Sequence, residues 1–347
     1  MSLSYAVRKS GVHFRHDVDF WRVRGSAKEL TSEIVRLFVL DSNDDHLLEA
    51  MGVSQEEMAA YRFSTLAEPG GVLFVAERAG RLEGLLFLAP DGLQSAVLGH
   101  YIWSVRQLVT SPDASSGTAG GLLQTALRYL DFPVDCVVAR VPARNRAAVG
   151  GLQRQGFQAL GSRVVGVLQC RARSVKEPTN LDLIPVQKSC LREAADFLLK
   201  NGDCFNYPSS TWLRAERMVR LYECQLAEYV EEPRAGGVVA KGPFAEILGL
   251  ITYRRKIWLG EFTSHRLASL DFFGVRPGSG SDGLGEVLHR HALSALYAES
   301  VDAVEVRTVV ARPEAAGKLE MLRKLGCKAF SSELIFQRWL TRGASLC

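Results

Sequence analysis

The sequence predicts an α/β protein built from two copies of one βααββ(β)αβαβ unit. Two observations carry this prediction. Residues 71–90 and 236–255 share a pattern of strand, tight turn and strand. In each copy a later strand runs into a proline, Pro112 or Pro277, which is followed by a small-residue loop and a helical pattern. Because the same elements recur in the same order, we infer a tandem duplication.

Each element of the unit has its own signal. A short strand opens each copy, and amphipathic helical regions follow it around residues 28–39 and 191–199. After the hairpin come a strand, the proline loop and a helix whose apolar positions recur at helical period. Further strands and one more helix complete each copy. The charged segment 171–179 separates the copies, so we predict one domain at residues 1–175 and another at 176–347.

Composition and charge narrow the classes of function. The 347 residues are 47% hydrophobic and 23% charged, which is ordinary for a globular protein. The net charge of +4 is small and the basic residues are scattered, so neither nucleic acid nor a membrane surface is an expected partner. There is no apolar N-terminal core and no 18-residue apolar run, so we expect neither a signal peptide nor a membrane span. Seven widely spaced cysteines without a CxxC pair predict no disulfide framework and no metal site, which fits a cytoplasmic protein.

A glycine-rich loop in the second copy gives the strongest functional signal. The stretch DFFGVRPGSGSDGLGEVL joins an apolar strand to a helix, an arrangement that presents backbone N–H groups to a phosphate. It resembles the V-x-P-x-x-[QR]-x-x-G-x-[GA] motif of the GNAT (Gcn5-related N-acetyltransferase) superfamily. Val275, Pro277, Gly283 and Gly285 match this motif, whereas Gly280 replaces its basic or amide residue. The alternative interpretation of the loop is a flexible surface connection.

The first copy resembles the same motif less closely and is the more degenerate of the two. It keeps Pro112 and Gly120 but has Ser115 and Thr118 at other motif positions. Downstream it matches part of the family signature N-x-x-A-x-x-L-Y-x-x-x-G-F, for example at Asn145.

Both copies depart from that signature at its tyrosine. Members of the family commonly use a tyrosine as the acid for the leaving thiolate. The corresponding residue is Leu152 in the first copy and Leu322 in the second. This departure argues against standard catalysis in either copy.

The resemblance implies two tandem GNAT domains, each a mixed, mostly antiparallel sheet flanked by helices. It also implies that an acyl-CoA lies along the strand before the loop, with its pyrophosphate at the N-terminus of the next helix. In the second copy the residues implied for the cofactor are Phe273, Gly274, Val275, Gly278, Ser279, Gly280, Ser281, Asp282, Gly283, Leu284 and Gly285. In the first copy they are Val109, Ser115, Ser116, Gly117, Thr118, Gly120 and Asn145. The carboxylate of Asp282 opposes a phosphate unless it points to solvent.

The family commonly uses a carboxylate or a histidine near this strand as the general base. The candidates in the second copy are Asp271, then Glu261 and His265 upstream of it, and Glu305 on the next strand. Strand alternation places Asp271 on the face of Phe273 and Val275, where partial desolvation would raise the pKa of its carboxyl group. The alternative is an ion pair between Asp271 and Arg307 or Arg266.

These observations lead to one predicted function and one alternative. The predicted function is transfer of an acetyl group from acetyl-CoA, or another acyl group from its acyl-CoA, to a small-molecule or peptide amine by direct attack in a ternary complex. The second copy is the favoured active copy, and no metal is expected. The missing tyrosines favour the alternative, a non-catalytic tandem GNAT module for acyl-CoA sensing or protein interaction. Three aromatic residues of the second copy are expected to pack in the core: Trp212, Tyr222 and Tyr229.

Overall fold

The computed structural model describes residues 18–23, 30–41, 45–130, 133–171, 181–202, 215–277, 283–309 and 315–340. The described chain forms two compact units. The first unit contains the residues up to Asp45, Ser54–Leu160 and the residues from Glu333 onward. The second unit contains His46–Val53 and Gly161–Ser332.

Both halves of the chain contain strands and helices. In the N-terminal half they are β1 (Asp19–Arg22), α1 (Thr31–Leu40), α2 (Asp45–Met51), α3 (Gln55–Thr65), β2 (Val72–Arg78), β3 (Arg81–Pro90), α4 (Gly92–Leu98), β4 (Ile102–Thr110), α5 (Thr118–Arg128), β5 (Cys136–Pro142), α6 (Arg146–Arg154) and β6 (Gln158–Gln169). In the C-terminal half they are β7 (Asp182–Pro185), α7 (Leu191–Asn201), α8 (Ala215–Glu231), β8 (Ala235–Lys241), β9 (Ile247–Arg255), α9 (Ile257–Gly260), β10 (Leu267–Val275), α10 (Leu284–Ala298), β11 (Ala303–Val309), α11 (Ala315–Lys324) and β12 (Ala329–Trp339).

The two units repeat one strand order. The first has the order β1-β2-β3-β4-β5-β12, and the second has β7-β8-β9-β10-β11-β6. Only β4–β5 and β10–β11 pair in parallel; the other described pairs within these two orders are antiparallel. This repetition is the duplication that the sequence predicts.

Each unit takes its last strand from the other half of the chain. Strand β12 pairs with β5 from Glu333 to Trp339, and β6 pairs with β11 from Arg163 to Gln169. The sequence prediction of domains at 1–175 and 176–347 describes the two repeats and stays a prediction. The compact units differ from that division because the final strands are exchanged.

Helices cover both faces of the sheet in the first unit, and this explains its sequence pattern. Strand β3 is buried continuously from Leu82 to Ala89, as expected for a strand packed on two sides. Helices α5 and α6 contribute to the core on one face, and α1 and α3 to the core on the other. In the second unit α10 and α11 pack on one face, whereas Tyr222 and Tyr229 of α8 contact Phe272 on the other.

A bulge and a divergence occur at the same place in both units. The β9–β10 register shifts between Leu270 and Phe273, and the described parallel pairing of β10 with β11 ends at Leu270. In the first unit the β3–β4 register shifts between Phe87 and Leu88, and the described β4–β5 pairing ends at Val105. The central strand of each unit therefore parts from its parallel neighbour at the bulge.

No helix in the described part of the chain is both long and apolar enough to cross a membrane.

Candidate active site

The divergence leaves one edge of β10 open in the second unit. Strand β9 pairs with β10 through Ile251, Leu250 and Gly249, which occupies the first edge as far as Val275. On the second edge, β11 pairs only up to Leu270 among the described residues. Backbone N–H and C=O groups after Leu270 can therefore receive an extended ligand as an added strand.

The end of helix α7 contacts the open edge of β10. Gly202, at the end of α7, forms an antiparallel bridge with Gly274. Since β9 lies on the first edge of β10, this bridge lies on the second. A Cβ at Gly274 would come within 3.0 Å of the Asn201 carbonyl oxygen and 3.1 Å of the Phe197 ring, so the approach depends on glycine.

Asp271 lies at the bulge of β10. The Tyr229 hydroxyl donates a 2.6 Å hydrogen bond to Oδ2 of Asp271. Oδ1 of the same carboxylate lies 3.9 Å from Nη1 of Arg307. The next residue, Phe272, donates its backbone N–H to Thr252 Oγ1 at 3.1 Å, in place of a regular ladder bond. The bulge thus turns the Asp271 carboxylate toward α8.

Because of this bulge, simple strand alternation predicts the wrong face of β10 for Asp271. Phe273 packs on the opposite side of the sheet, with its ring 4.7 Å from the ring of His289 on α10. An inserted residue in a strand breaks the period of two, so Asp271 and Phe273 no longer share a face.

Tyr229 is buried, and its surroundings keep it protonated. Its ring contacts Phe272 edge-on at 5.8 Å, and the Arg254 guanidinium lies 4.6 Å above the ring centre. Burial, and then the negative charge of Asp271, raise the pKa of Tyr229 far above its ordinary value. The hydroxyl is therefore a permanent hydrogen-bond donor to Asp271. Tyr222 and Tyr229 are buried, as the sequence predicts, and Trp212 lies outside the described residues. The polar partner of Tyr229 depends on strand register, which no helical periodicity reveals.

Glu305 is an ion-pair residue. Its carboxylate lies 2.7 Å from Lys256 Nζ and 2.5 Å from Arg307 Nη2. Burial alone would raise the pKa of Glu305, but the charges of Arg307 and Lys256 outweigh burial and hold the pKa well below its ordinary value. A carboxylate held ionised in this way is a weak proton acceptor, so the geometry does not favour Glu305 as a base.

His265 precedes β10 and is not brought to Asp271. Its Nδ1 lies 3.9 Å from Oδ2 of Asp302, and its ring packs against Gly52. Arg307 joins Glu305 to Asp271, so two of the predicted catalytic residues belong to one charged group and His265 lies outside it.

The helix α10 begins as a phosphate-binding helix would. Gly283 precedes it with a φ of 97°, a conformation that favours glycine, and no side chain among the described residues caps its first turn. Gly278, Ser279, Gly280, Ser281 and Asp282, all predicted to bind cofactor, lie outside the described residues. Leu284 is buried in the core, and an ideal Cβ at Gly285 would lie 3.3 Å from both Met321 and Phe273. Gly285 therefore permits close packing of α10.

His289 on α10 is a neutral core histidine. Its Nδ1 lies 2.7 Å from the Gly285 carbonyl oxygen, so a neutral ring donates this bond. Burial, and then the charge of Lys318, lower the pKa of His289 to about 3.

In the first unit a buried carboxylate of β3, Glu83, lies against the corresponding loop. Glu83 is buried, forms an ion pair with Arg78 and accepts a 3.3 Å hydrogen bond from Thr118 Oγ1 at the start of α5. Ser115 Oγ lies 2.9 Å from the same Thr118 oxygen. The Ser115 and Thr118 hydroxyls, predicted to bind cofactor, are thus bonded within the protein.

Other predicted cofactor residues of the first unit are also used structurally. Asn145 accepts the Ala148 N–H at 3.0 Å and caps α6. The Ser116 carbonyl accepts a 3.0 Å hydrogen bond from Arg154, whose guanidinium lies beside Gly120. Val109 is a buried residue of β4, and Gly117 immediately precedes α5. The basic Arg78 and Arg154 beside this loop were missed by the sequence analysis because they come from distant segments.

The bulge of the first unit carries the opposite charge from that of the second. Arg106 occupies it and is bound by both carboxylate oxygens of Glu68, at 3.0 and 3.2 Å. A guanidinium therefore stands where the second unit has Asp271.

Comparison with solved structures identifies the fold of this protein, whereas comparison of its sequence with known families does not. No family model and no curated protein matches the chain. A tandem GNAT protein from the clavulanic acid biosynthesis pathway, solved without acetyl-CoA, is 15% identical with a TM-score of 0.55 over 93% of this chain and 98% of its own. A GCN5-related N-acetyltransferase from Sphaerobacter thermophilus is 15% identical with a TM-score of 0.61 over 92% and 95%. A glucosamine N-acetyltransferase region of a fungal multi-domain protein is 14% identical with a TM-score of 0.59, over 92% of this chain and 38% of that one.

The protein has a tandem GNAT fold. The predicted fold class is thereby confirmed, and it is the fold that the sequence resemblance implies. In each GNAT unit the strand with the bulge, β4 or β10, is the strand on which the sequence resemblance places the acyl-CoA. The binding of that cofactor, and the roles predicted for individual residues, stay predictions. Among the described residues no group of three or more His, Cys, Asp or Glu side chains could hold a metal ion.

Proposed function

We propose that the protein is an acyl-CoA-dependent N-acyltransferase whose second GNAT unit carries the reaction. The donor is acetyl-CoA, and the acceptor is a small-molecule or peptide amine. One observation carries the proposal: a carboxylate, Asp271, stands at the bulge where β10 leaves β11, oriented by the Tyr229 hydroxyl. A base at the mouth of an open strand edge is the arrangement that amine acylation needs.

The charges of the two units support the assignment to the second. In the first unit the Glu83 carboxylate, paired with Arg78, already binds the Thr118 hydroxyl at the start of α5, so this hydroxyl is not free for a pyrophosphate. The first unit also presents Arg106 at its bulge, and a guanidinium cannot accept a proton from an amine. Helices α5 and α10 both begin after a glycine, and no described side chain caps either of them, so the charge at the bulge is what distinguishes the units. The first-turn N–H groups of α10 are open to a phosphate among the described residues.

The chemistry follows from these positions. The amine nitrogen attacks the thioester carbonyl carbon, a C–N bond forms, and the C–S bond breaks. Asp271 accepts a proton from the attacking nitrogen, and a proton ends on the CoA sulfur. Overall, an ammonium ion and a thioester give an amide, a thiol and one proton released to solvent. Backbone N–H groups on the open edge of β10 stabilise the negative charge on the carbonyl oxygen.

The non-catalytic alternative has one observation in its favour. The residues at the two tyrosine positions, Leu152 and Leu322, are fully buried in the cores of their units. Neither position can present an acid to a bound thiol. A tandem GNAT module that binds acyl-CoA without turnover, for sensing or for protein interaction, remains the second candidate.

The test is acetyl-CoA turnover against a panel of amines, with the acetylated product identified by mass spectrometry. We expect Asp271→Asn to lower kcat about 100-fold or more while leaving the Kd for acetyl-CoA unchanged. Asp196→Asn on the surface of α7 is the matched control. If the wild type binds acetyl-CoA but acetylates no amine, the non-catalytic alternative replaces the proposal.

A second pair of variants assigns the cofactor to a unit. Arg276 and Ser116 are exposed residues beside the two loops. Arg276→Glu should weaken acetyl-CoA binding about tenfold through charge repulsion, and Ser116→Glu should not. The reverse result would place the cofactor in the first unit.

A further inference from the structure

The second unit contains a cavity that the proposed reaction does not use. It has a volume of about 220 Å³ and lies between the end of β9, at Arg255, and the start of β10, at Leu267. Its lining includes three cationic side chains and one acidic side chain: Arg255, Lys256, Arg266 and Glu261. With about 30 Å³ for each water molecule, the space matches a small polar group with some bound water.

Two of the three cations are already neutralised. Arg255 pairs with Glu299 at 3.0 Å, and Lys256 pairs with Glu305 at 2.7 Å. The Arg266 side chain is exposed, and within the described residues its guanidinium makes no ion pair. Its backbone N–H binds Asp302 at 2.8 Å, which fixes the position of the residue. Arg266 is therefore the cation of this cavity that can receive an external anion.

A chain of charged side chains joins the cavity to Asp271. Lys256 and Arg307 bind the two oxygens of Glu305, and Arg307 lies 3.9 Å from Asp271. Lys256 at the cavity and Asp271 of β10 are thus the two ends of one polar strip that runs through Glu305 and Arg307 of β11. The strip covers the four residue steps from Leu267 to Asp271, roughly 13 Å at the rise of a strand.

We propose that the acceptor is an amine with a distant carboxylate, in which Asp271 receives the amine and Arg266 binds the carboxylate in this cavity. The inference rests on the proposed function and specifies its substrate class. The amine and the carboxylate of such an acceptor lie on the order of 10 Å apart. An ω-amino acid or a short peptide satisfies this separation, whereas an α-amino acid does not.

The experiment compares linear ω-amino acids of increasing chain length with the n-alkylamines of the same length. We expect kcat/KM to rise with chain length for the ω-amino acids until the carboxylate reaches Arg266, and to exceed that of the matched alkylamine at least tenfold there. Arg266→Gln should raise the KM for the best ω-amino acid about tenfold without changing kcat, and should leave the alkylamine kinetics unchanged. Arg290→Gln, an arginine of α10 paired with Glu286, is the matched control.

The outcomes separate this inference from the proposed function. Equal kcat/KM for both series, unaffected by Arg266→Gln, overturns the inference while the acyltransferase assignment stands. If no amine is acetylated, the proposed function fails, and direct titration of the longest ω-amino acid then decides whether the cavity binds anions. Binding to the wild type that is weakened tenfold in Arg266→Gln would support the carboxylate site, and equal or absent binding would overturn it.

Discussion

The Tyr229 hydroxyl of helix α8 donates a 2.6 Å hydrogen bond to the Asp271 carboxylate at the bulge of β10. A helix on one face of the sheet thereby fixes the orientation of a strand carboxylate on the open edge. Since Tyr229 is held protonated by burial and by Asp271, the bond persists throughout the neutral pH range.

Tyr229→Phe should therefore lower kcat about tenfold while the KM for acetyl-CoA stays the same. The free energy of unfolding should fall by about 1–2 kcal/mol, because a part-buried carboxylate loses its donor. Tyr222→Phe is the control, since the Tyr222 ring packs edge-on against the same Phe272. Equal effects of the two variants on kcat would refute a positioning role for Tyr229.

Thr118→Val tests the hydrogen bonds that the buried Glu83 carboxylate and Ser115 make with Thr118 in the first unit. The substitution removes a hydroxyl that bridges Glu83 and Ser115, so we expect a loss of about 1–3 kcal/mol in the free energy of unfolding. The Kd for acetyl-CoA, measured by calorimetry, should not change. A weaker Kd in Thr118→Val would show that the first unit takes part in cofactor binding.

His289 should make the protein less stable as the pH falls from 6.5 toward 3. Its folded-state pKa of about 3 lies below that of the unfolded chain, so only the unfolded state takes up the proton in this range. Stability should then decrease by up to about 1.4 kcal/mol per pH unit. In His289→Leu the slope between pH 6.5 and 5 should largely disappear in urea titrations. His291→Gln on the same helix is the control, and an unchanged slope in His289→Leu would contradict the assignment.

Glu305 should affect the pH dependence of stability at a lower pH than His289 does. Its folded-state pKa is depressed, so its contribution is complete above the unfolded value of about 4.3 and is lost as the pH falls below it. Glu305→Gln should lower the free energy of unfolding at pH 7 by about 3 kcal/mol, because Lys256 and Arg307 lose their shared partner. The variant should also lose less stability than the wild type between pH 4.3 and 3. A parallel pair of curves would argue against a depressed pKa at Glu305.

The bridge between Gly202 and Gly274 can be tested as a competitor for the cofactor. An ideal Cβ at Gly202 would lie 2.4 Å from the Leu198 carbonyl oxygen, so Gly202→Ala displaces this turn. If the acyl-CoA arm pairs with the same edge of β10, the variant should bind acetyl-CoA more tightly than the wild type. The reason is that Gly202 then occupies this edge in a smaller fraction of the protein molecules. Gly92→Ala, where an added Cβ meets nothing within 4 Å, is the control. Weaker binding in Gly202→Ala would instead make the turn part of the cofactor site.

The repeated pattern made the fold predictable from the sequence. The two prolines, Pro112 and Pro277, precede helices α5 and α10 as the spacing requires, and the strand order repeats with them. These features are local or depend on comparing one half with the other. Both kinds of information are present in a single chain.

The polar geometry of the site could not be predicted in the same way. The bulge at Asp271 adds a residue without changing the apolar pattern of β10, so alternation placed the carboxylate on the wrong face. Tyr229 and Glu83 follow the periodicity of buried residues, and their partners lie 42 and 35 positions away in the chain. Such pairs are set by strand register and helix placement, which only the folded structure supplies.

The exchange of β6 and β12 has a consequence for any attempt to divide the protein. A fragment that ends in the segment between the repeats keeps β6 but lacks the strand that covers β5, and the complementary fragment lacks the strand that covers β11. Each piece would expose an unpaired sheet edge and self-associate. The two pieces should regain a folded state only when they are produced together, so the duplicated halves behave as mutual folding partners within one chain.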